Sequence, residues 1–313
     1  MSALLFPGQG SQVVGMASEL YKNYNIVKET FKEADEKLNF SISKLILEGP
    51  ESELQLTQNT QPAILTVSVS IYKILKYNFN FDFSSFKYFA GHSLGEYSAL
   101  VCSDSINFTD AIYLLHERGK AMQKAVPVGE GEMIAVLGAK ISEINDLLKL
   151  HAQNNGVCEI ANDNAEGQVI LSGDKKSIHS FTTLLKEKKI KSIPLKVSAP
   201  FHCSLMKPAA DEMRNKIDDT EFKDPSTEII NNVSAKPETD SNVIKKLLIE
   251  QIFSTVKWRE SLIYMSSAGV SNFVEIGPGK VLTGMVKRTI KGANCFSINS
   301  ITDIKNFTDE FKQ

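Results

Sequence analysis

A run suited to a buried strand, Phe86-Lys-Tyr-Phe-Ala90, stops at Gly91-His92-Ser93-Leu94-Gly95, and the helix-forming stretch Glu96-Tyr-Ser-Ala-Leu-Val101 follows. Gly-x-Ser-x-Gly between a strand and a helix holds its serine on a sharp turn, with the hydroxyl exposed at the carboxyl edge of a sheet. The glycines let the chain turn without a Cβ clash. Main-chain N–H groups at the amino end of the following helix can stabilise a developing oxyanion. Ser93 is therefore the first candidate nucleophile, in an α/β chain.

The pattern on either side predicts a layered fold. Ser2-Ala-Leu-Leu-Phe6 reads as a short strand entering the loop Pro7-Gly-Gln-Gly-Ser-Gln12. Val13 stands where a dinucleotide fingerprint needs its third glycine, and no Gly-Lys-Ser/Thr marks a P-loop. Helices are expected over 24–38, 61–77 and 109–126, the last from Ala111, Leu114, Leu115 and Met122 at helical spacing. Asn78–Ser85, polar with interleaved phenylalanines, reads as a surface loop.

From Val128 the order changes. A strand at 132–138, a helix at 142–152, strands at 157–161 and 168–172, a helix at 175–188 and a strand at 191–197 give β-α-β-β-α-β, the ferredoxin-like plan. The expectation is a large α/β-hydrolase-like domain with a mostly parallel sheet, formed by residues 1–127 and 198–313, interrupted by a ferredoxin-like small domain at 128–197. The large domain resumes with a helix at 206–217, a strand at 228–233, a helix at 241–252, a final strand at 272–276 and a helix at 281–289.

Charge and cysteine content exclude several functions. With 35 basic and 37 acidic residues the net charge is −2, so no global field suits nucleic acid. The four cysteines are scattered with no Cys-x-x-Cys pair, which disfavours a zinc site or disulfide framework and suits a reducing, cytoplasmic setting. There is no signal-peptide pattern and no apolar run of membrane-spanning length.

A nucleophilic serine needs a base, and the chain has five histidines. His116, His151 and His179 fall in predicted helices, where a surface or interhelical place is the simpler reading. His92 is held in the turn and shapes it. His202, after Ala199-Pro-Phe201 where the chain returns from the small domain, is either the base or a junction residue. An α/β-hydrolase triad runs Ser, Asp/Glu, His with the histidine near the end; here more than a hundred residues follow His202, which suits a Ser–His dyad oriented by an amide or carbonyl. Arg118 is either an ordinary solvated or paired helical arginine or a fork for a carboxylate.

Phe6-Pro-Gly-Gln-Gly-Ser-Gln12, Gly91-His-Ser-Leu-Gly-Glu96, Arg118-Gly119, Ala199-Pro-Phe-His202, Gln251 and Glu275-Ile-Gly-Pro-Gly279 occur in this order. In these motifs the chain resembles the malonyl-CoA:acyl-carrier-protein transacylases of bacterial type II fatty-acid synthesis, from about residue 4 to residue 300. The resemblance implies Ser93 as nucleophile, His202 as base, Gln251 as the residue whose main-chain carbonyl holds the imidazole, and Arg118 as the clamp on the malonyl carboxylate. It implies an oxyanion hole from the N–H groups of Gln9 and Leu94. His92, Asn162, Phe201 and Asn231 are candidate pocket-lining residues, with turn or strand-end amides as the plainer reading of the two asparagines.

The implied partners are malonyl-CoA and an acidic, phosphopantetheinylated acyl carrier protein, with no cofactor or metal and a monomeric enzyme. Lys189, Lys191, Lys287 and Arg288 are candidate docking charges. The family's Gln-x-x-x-Pro-Val-x-Trp carries Thr255 at the proline position here, and the chain's end soon after Phe311 leads to the expectation of a free-standing enzyme. The competing reading is a serine esterase or thioesterase using the same dyad; a non-catalytic acyl-binding module has no need of Ser93, His202 and Arg118 together.

Overall fold

The computed structural model describes residues 1–151 and 156–311, and two sheets organise it. The strands, in chain order, are β1 (Ser2–Phe6), β2 (Phe86–Gly91), β3 (Gly131–Leu137), β4 (Cys158–Ala165), β5 (Gln168–Asp174), β6 (Lys191–Pro194), β7 (Glu228–Ile230), β8 (Pro237–Glu238), β9 (Asn272–Ile276) and β10 (Asn294–Ile298). The larger sheet has the order β10-β9-β1-β2-β7-β8 and is parallel except for β8. All of β1 is buried, as a central parallel strand covered on both faces should be.

Register in this sheet positions the site. Phe6 at the end of β1 pairs with Gly91 at the end of β2, and the His92 N–H donates to the Phe6 carbonyl at 3.0 Å. The 7–12 loop and the serine turn, far apart in sequence, thus leave the sheet side by side at its carboxyl edge, where open α/β sheets place their ligands.

The smaller sheet is antiparallel, in the order β4-β5-β3-β6. Period-2 alternation splits its apolar residues. Ile134, Val136, Val169 and Leu171 pack under the helices Ile141–His151 and Lys175–Glu187, against Ile144, Ile178 and Phe181. Met133, Ala135 and Ile170 point the other way and join the main core.

A polar seam ties the two sheets together. Val256 N–H donates to the Ala161 carbonyl at 2.8 Å and Asp163 N–H to the Val256 carbonyl at 3.0 Å. The Thr255 hydroxyl donates to the Ile160 carbonyl at 2.5 Å, so the residue at the family's proline position anchors its segment by a hydrogen bond. Arg259 Nε reaches both oxygens of buried Asp163, at 2.9 and 3.0 Å.

Several expected elements differ. β4 continues to Ala165, because Asn162–Asn164 find partners within the seam and the site while remaining buried. The strand expected at 228–233 stops at Ile230, where Asn231 holds a turn through Ser234 and Lys236. β9 is not the last strand: β10 pairs with it along its whole length, and a helix at Ile301–Glu310 follows. Of the phenylalanines in the expected surface loop, Phe83 is buried in the core, and Phe79 and Phe81 are half-buried against it. Phe81 and Phe83 lie 4.9 Å apart between ring centroids, and Phe81 is 5.0 Å from Phe307. The helix at Ile141–His151 was expected to reach Ala152, which lies outside the described residues. Among the described residues no helix is long and apolar enough to cross a membrane.

Candidate active site

Ser93 takes a left-handed conformation, φ 53°, which is costly for a residue with a Cβ and persists only where the surroundings enforce it. Packing enforces it here. A Cβ at Gly91 would lie 1.9 Å from the Gly95 main chain, and one at Gly95 would lie 2.2 Å from the Phe6 carbonyl oxygen. Asn232, wholly buried, closes the turn: its Oδ1 accepts from Ser93 N–H at 2.7 Å and its Nδ2 donates to the Gly91 carbonyl at 2.7 Å.

Ser93 Oγ lies 2.7 Å from His202 Nε2, and His202 Nδ1 lies 2.8 Å from the Gln251 main-chain carbonyl. A carbonyl oxygen can only accept, so Nδ1 carries the proton and Nε2 is bare to receive the serine O–H. Burial, helped by the positive charge of Arg118, pushes His202 down to about 3. The imidazole is neutral throughout the neutral range. His202 also has a positive φ, 56°, and its loop is tied down two residues on, where Ser204 donates from N–H and hydroxyl to Glu159 of β4 at 2.8 and 2.6 Å. No acid follows in the line from Ser93 through His202; a carbonyl takes that place.

Arg118 comes from the helix Phe108–Lys124 and is only 1% exposed. Its Nη1 donates to Gln61 Oε1 at 2.6 Å, and its Nη2 to Gln251 Oε1 at 2.8 Å and Ser93 Oγ at 3.1 Å. Its buried Nε has no partner among the described residues. Burial lowers its pKa, against the pull of Tyr97 and Glu96. A buried guanidinium with donor capacity to spare, touching the candidate nucleophile, suits an incoming carboxylate.

Glu96, one residue beyond the Gly-x-Ser-x-Gly turn, is also 1% exposed. Its Oε2 accepts from Gln251 Nε2 at 2.7 Å and from Asn232 N–H at 3.1 Å. Burial pushes it up to about 7, against those hydrogen bonds and Arg118. No local sequence signal marks Glu96, Asn232, Gln61 or Asn164 as part of the site. An acid in the first turn of a helix is commonplace, and the partners that give these residues meaning lie far along the chain.

A cavity of about 170 Å³ opens at this cluster, walled by Ser93, Arg118, His202, Met133, Phe201 and Met285 among others. His92 and Asn162 also face it. His92 is buried, its Nε2 is 2.8 Å from Asn164 Oδ1, and burial lowers its pKa. Asn231 departs from expectation: it is not part of the wall, because its amide donates to Ser234 and Lys236 to hold the turn after β7. Gln9 and Leu94 both line the cavity, and their main-chain N–H groups have no acceptor among the described residues. Gln9 is steadied by its side chain, whose Oε1 accepts from the Thr57 hydroxyl at 2.8 Å. Lys189, Lys191, Lys287 and Arg288 are exposed, the last two on the helix Val281–Thr289 that also presents Val281, Leu282 and Met285 to the cavity. At the other end of the Glu275-Ile-Gly-Pro-Gly279 motif, buried Glu275 accepts from the N–H groups of Leu282 and Thr283 and so seats that helix.

Residues 3–312 match the acyl transferase domain family. A malonyl CoA-acyl carrier protein transacylase of Bacillus subtilis is 44% identical over 91% of this chain and 89% of its own length. One from Haemophilus influenzae is 42% identical over 99% of this chain and 98% of its own. Among solved structures, an acyl carrier protein S-malonyltransferase from Vibrio cholerae superposes with a TM-score of 0.94 at 42% identity, covering 98% of this chain and 99% of that one. A type II PKS acyl-carrier protein in complex with its malonyl-transacylase gives 0.95 at 37% identity, with 99% of each chain covered.

Proposed function

The chain belongs to the acyl transferase family, and we propose that it carries a malonyl group from malonyl-CoA to the phosphopantetheine thiol of an acyl carrier protein through a malonyl-Ser93 intermediate. The observation that carries this reading is the position of Ser93 Oγ, between a neutral imidazole at 2.7 Å and a buried guanidinium at 3.1 Å.

In the first half-reaction the Ser93 hydroxyl attacks the thioester carbonyl and passes its proton to His202 Nε2. The N–H groups of Gln9 and Leu94 receive the oxyanion; one such donor is worth ~2.7–4 kcal/mol in other enzymes. The imidazolium then protonates the departing coenzyme A sulfur. In the second half, His202 takes the proton of the carrier's thiol as the sulfur attacks malonyl-Ser93, and returns it to Ser93 Oγ as the ester breaks. The Gln251 carbonyl holds the imidazole through both.

Arg118 supplies selectivity in two ways. Its fork pairs with the free carboxylate, and the pair offsets the positive charge that adds to burial in depressing His202. A malonyl group therefore makes its own base stronger, whereas an acetyl group leaves Arg118 unneutralised. The relatives support transfer over hydrolysis, since they are named as transacylases. We read the small sheet's order and its β-α-β-β-α-β connectivity as ferredoxin-like, inserted at 128–197 into a hydrolase-like unit. Lys287 and Arg288, on the helix whose Val281, Leu282 and Met285 line the cavity, are assigned to docking an acidic carrier, and the enzyme is assigned to the cytoplasm as a monomer. The test is malonyl transfer to a purified phosphopantetheinylated carrier, with acetyl-CoA as competing donor. Carrier malonylation without matching acetylation is expected; release of free malonate with the carrier untouched would favour a thioesterase.

A further inference from the structure

Gln251 contributes to the site from both its main chain and its side chain. Its carbonyl holds His202 at 2.8 Å, and its side-chain Oε1 accepts from Arg118 Nη2 at 2.8 Å. Its Nε2 donates to Glu96 at 2.7 Å and to the Ser93 carbonyl at 3.1 Å. The residue is wholly buried.

We propose that Glu96 is a positioning residue which, through Gln251, sets the orientation of both the candidate base and the candidate carboxylate clamp. The proposal rests on the transfer reading above. A side-chain amide has two ends of nearly equal shape, and only its partners decide which end faces which way. Arg118 can only donate, so it requires the oxygen. Glu96 Oε2 accepts, and draws the nitrogen to the opposite side. With Glu96 withdrawn, Nε2 keeps only the longer contacts, to the Ser93 carbonyl and to Asn232 Oδ1 at 3.4 Å. The amide is then free to turn its nitrogen toward the guanidinium, and Arg118 loses its second support.

The same carboxyl oxygen also accepts from Asn232 N–H, and the Asn232 side chain closes the serine turn on both sides. Glu96 therefore ties together three segments: the helix start after the serine turn, the chain following β7, and the carboxyl end of the helix Ser241–Gln251. An apolar residue in its place would strip the buried Asn232 N–H of this acceptor and leave Gln251 Nε2 only its longer contacts. Both of these hydrogen bonds need the reach of an acceptor, which a neutral amide oxygen supplies as well as a carboxylate.

Two conservative variants separate reach from charge. Glu96→Gln keeps an acceptor at the same distance and removes the charge; Glu96→Asp keeps the charge and withdraws the acceptor by one methylene. The readout is the ratio of kcat/KM for malonyl-CoA to that for acetyl-CoA, followed as acylation of Ser93 by intact mass. This ratio does not depend on the fraction of enzyme folded. Glu96→Gln is expected to hold the wild-type ratio within about three-fold, and Glu96→Asp to lower it about ten-fold or more, as loss of a support for a transition-state contact should. A wild-type ratio in Glu96→Asp, or an equal loss in Glu96→Gln, overturns the proposal. Wild-type enzyme that takes up no malonyl group overturns the transfer reading itself, and this inference with it.

Discussion

Arg118 Nη2 donates to the Ser93 hydroxyl across 3.1 Å, so the buried cation rests directly against the oxygen that receives the acyl group. An acyl group esterified to that oxygen therefore starts beside the guanidinium, where a carboxylate on a short acyl chain can meet it. Arg118→Ala should lower kcat/KM for malonyl-CoA about a hundred-fold or more, since two charge-assisted hydrogen bonds are each worth ~1.5–3 kcal/mol. Activity with acetyl-CoA should change far less. Parallel initial rates with both donors decide it: an unchanged malonyl preference contradicts the clamp.

His202→Ala should slow acylation of Ser93 by roughly 10²–10⁴-fold, the usual contribution of a general base. In the free enzyme His202 is held near 3, so kcat/KM should carry no acid limb at the ordinary histidine value of 6.5. A limb at that value in wild type, absent from His202→Ala, would show that the imidazole is far less buried than this site makes it.

Stability should respond to pH with two opposing slopes. Glu96 sits near 7 in the folded chain against an ordinary 4.5, so the native state keeps a proton that the unfolded chain has released. Its contribution is full below 4.5 and lost as pH rises to 7. His202 falls from 6.5 to about 3, so its contribution is full above 6.5 and lost as pH falls toward 3. Denaturant melts of Glu96→Gln against wild type isolate the first slope. The variant should gain on wild type between pH 4.5 and 7, by ~3 kcal/mol at most. A difference that stays constant across that range contradicts the buried carboxyl.

Arg259→Ala should damage the seam between the sheets. Asp163 is 1% exposed and is held by both contacts from Arg259 Nε. Removing one partner of such a pair strands a buried charge, at ~3–5 kcal/mol. Burial already raises the Asp163 pKa, so the stranded carboxyl should take up a proton and the loss should shrink at acid pH. Thermal melts at two pH values test this, and an equal loss at both would contradict it.

The serine turn was legible in the sequence because its signal is local: two glycines, a strand run before and a helix run after. His202 stood out only as a histidine at a junction, and Arg118 as one more helical arginine until the ordered motifs gave it a family. What remained hidden depends on contacts that no local pattern encodes. Asn232 meets Ser93 from 139 residues away and Gln251 meets Glu96 from 155. Periodicity can mark such residues as buried, but it cannot name their partners. The same limit explains Asn231: it has the composition of a lining amide, yet its neighbours Ser234 and Lys236 take its hydrogen bonds. Phe81 and Phe83 read as surface residues because flanking polar residues mask a cluster completed by Phe307 and Phe311, near the other end of the chain.

The most direct measurement is a chase followed by intact mass. Enzyme exposed to malonyl-CoA and freed of excess should carry one malonyl group, absent from Ser93→Ala, and phosphopantetheinylated carrier protein should then remove it and gain the same mass. An adduct that persists in Ser93→Ala, or one that leaves as free malonate while the carrier stays unchanged, would contradict the account.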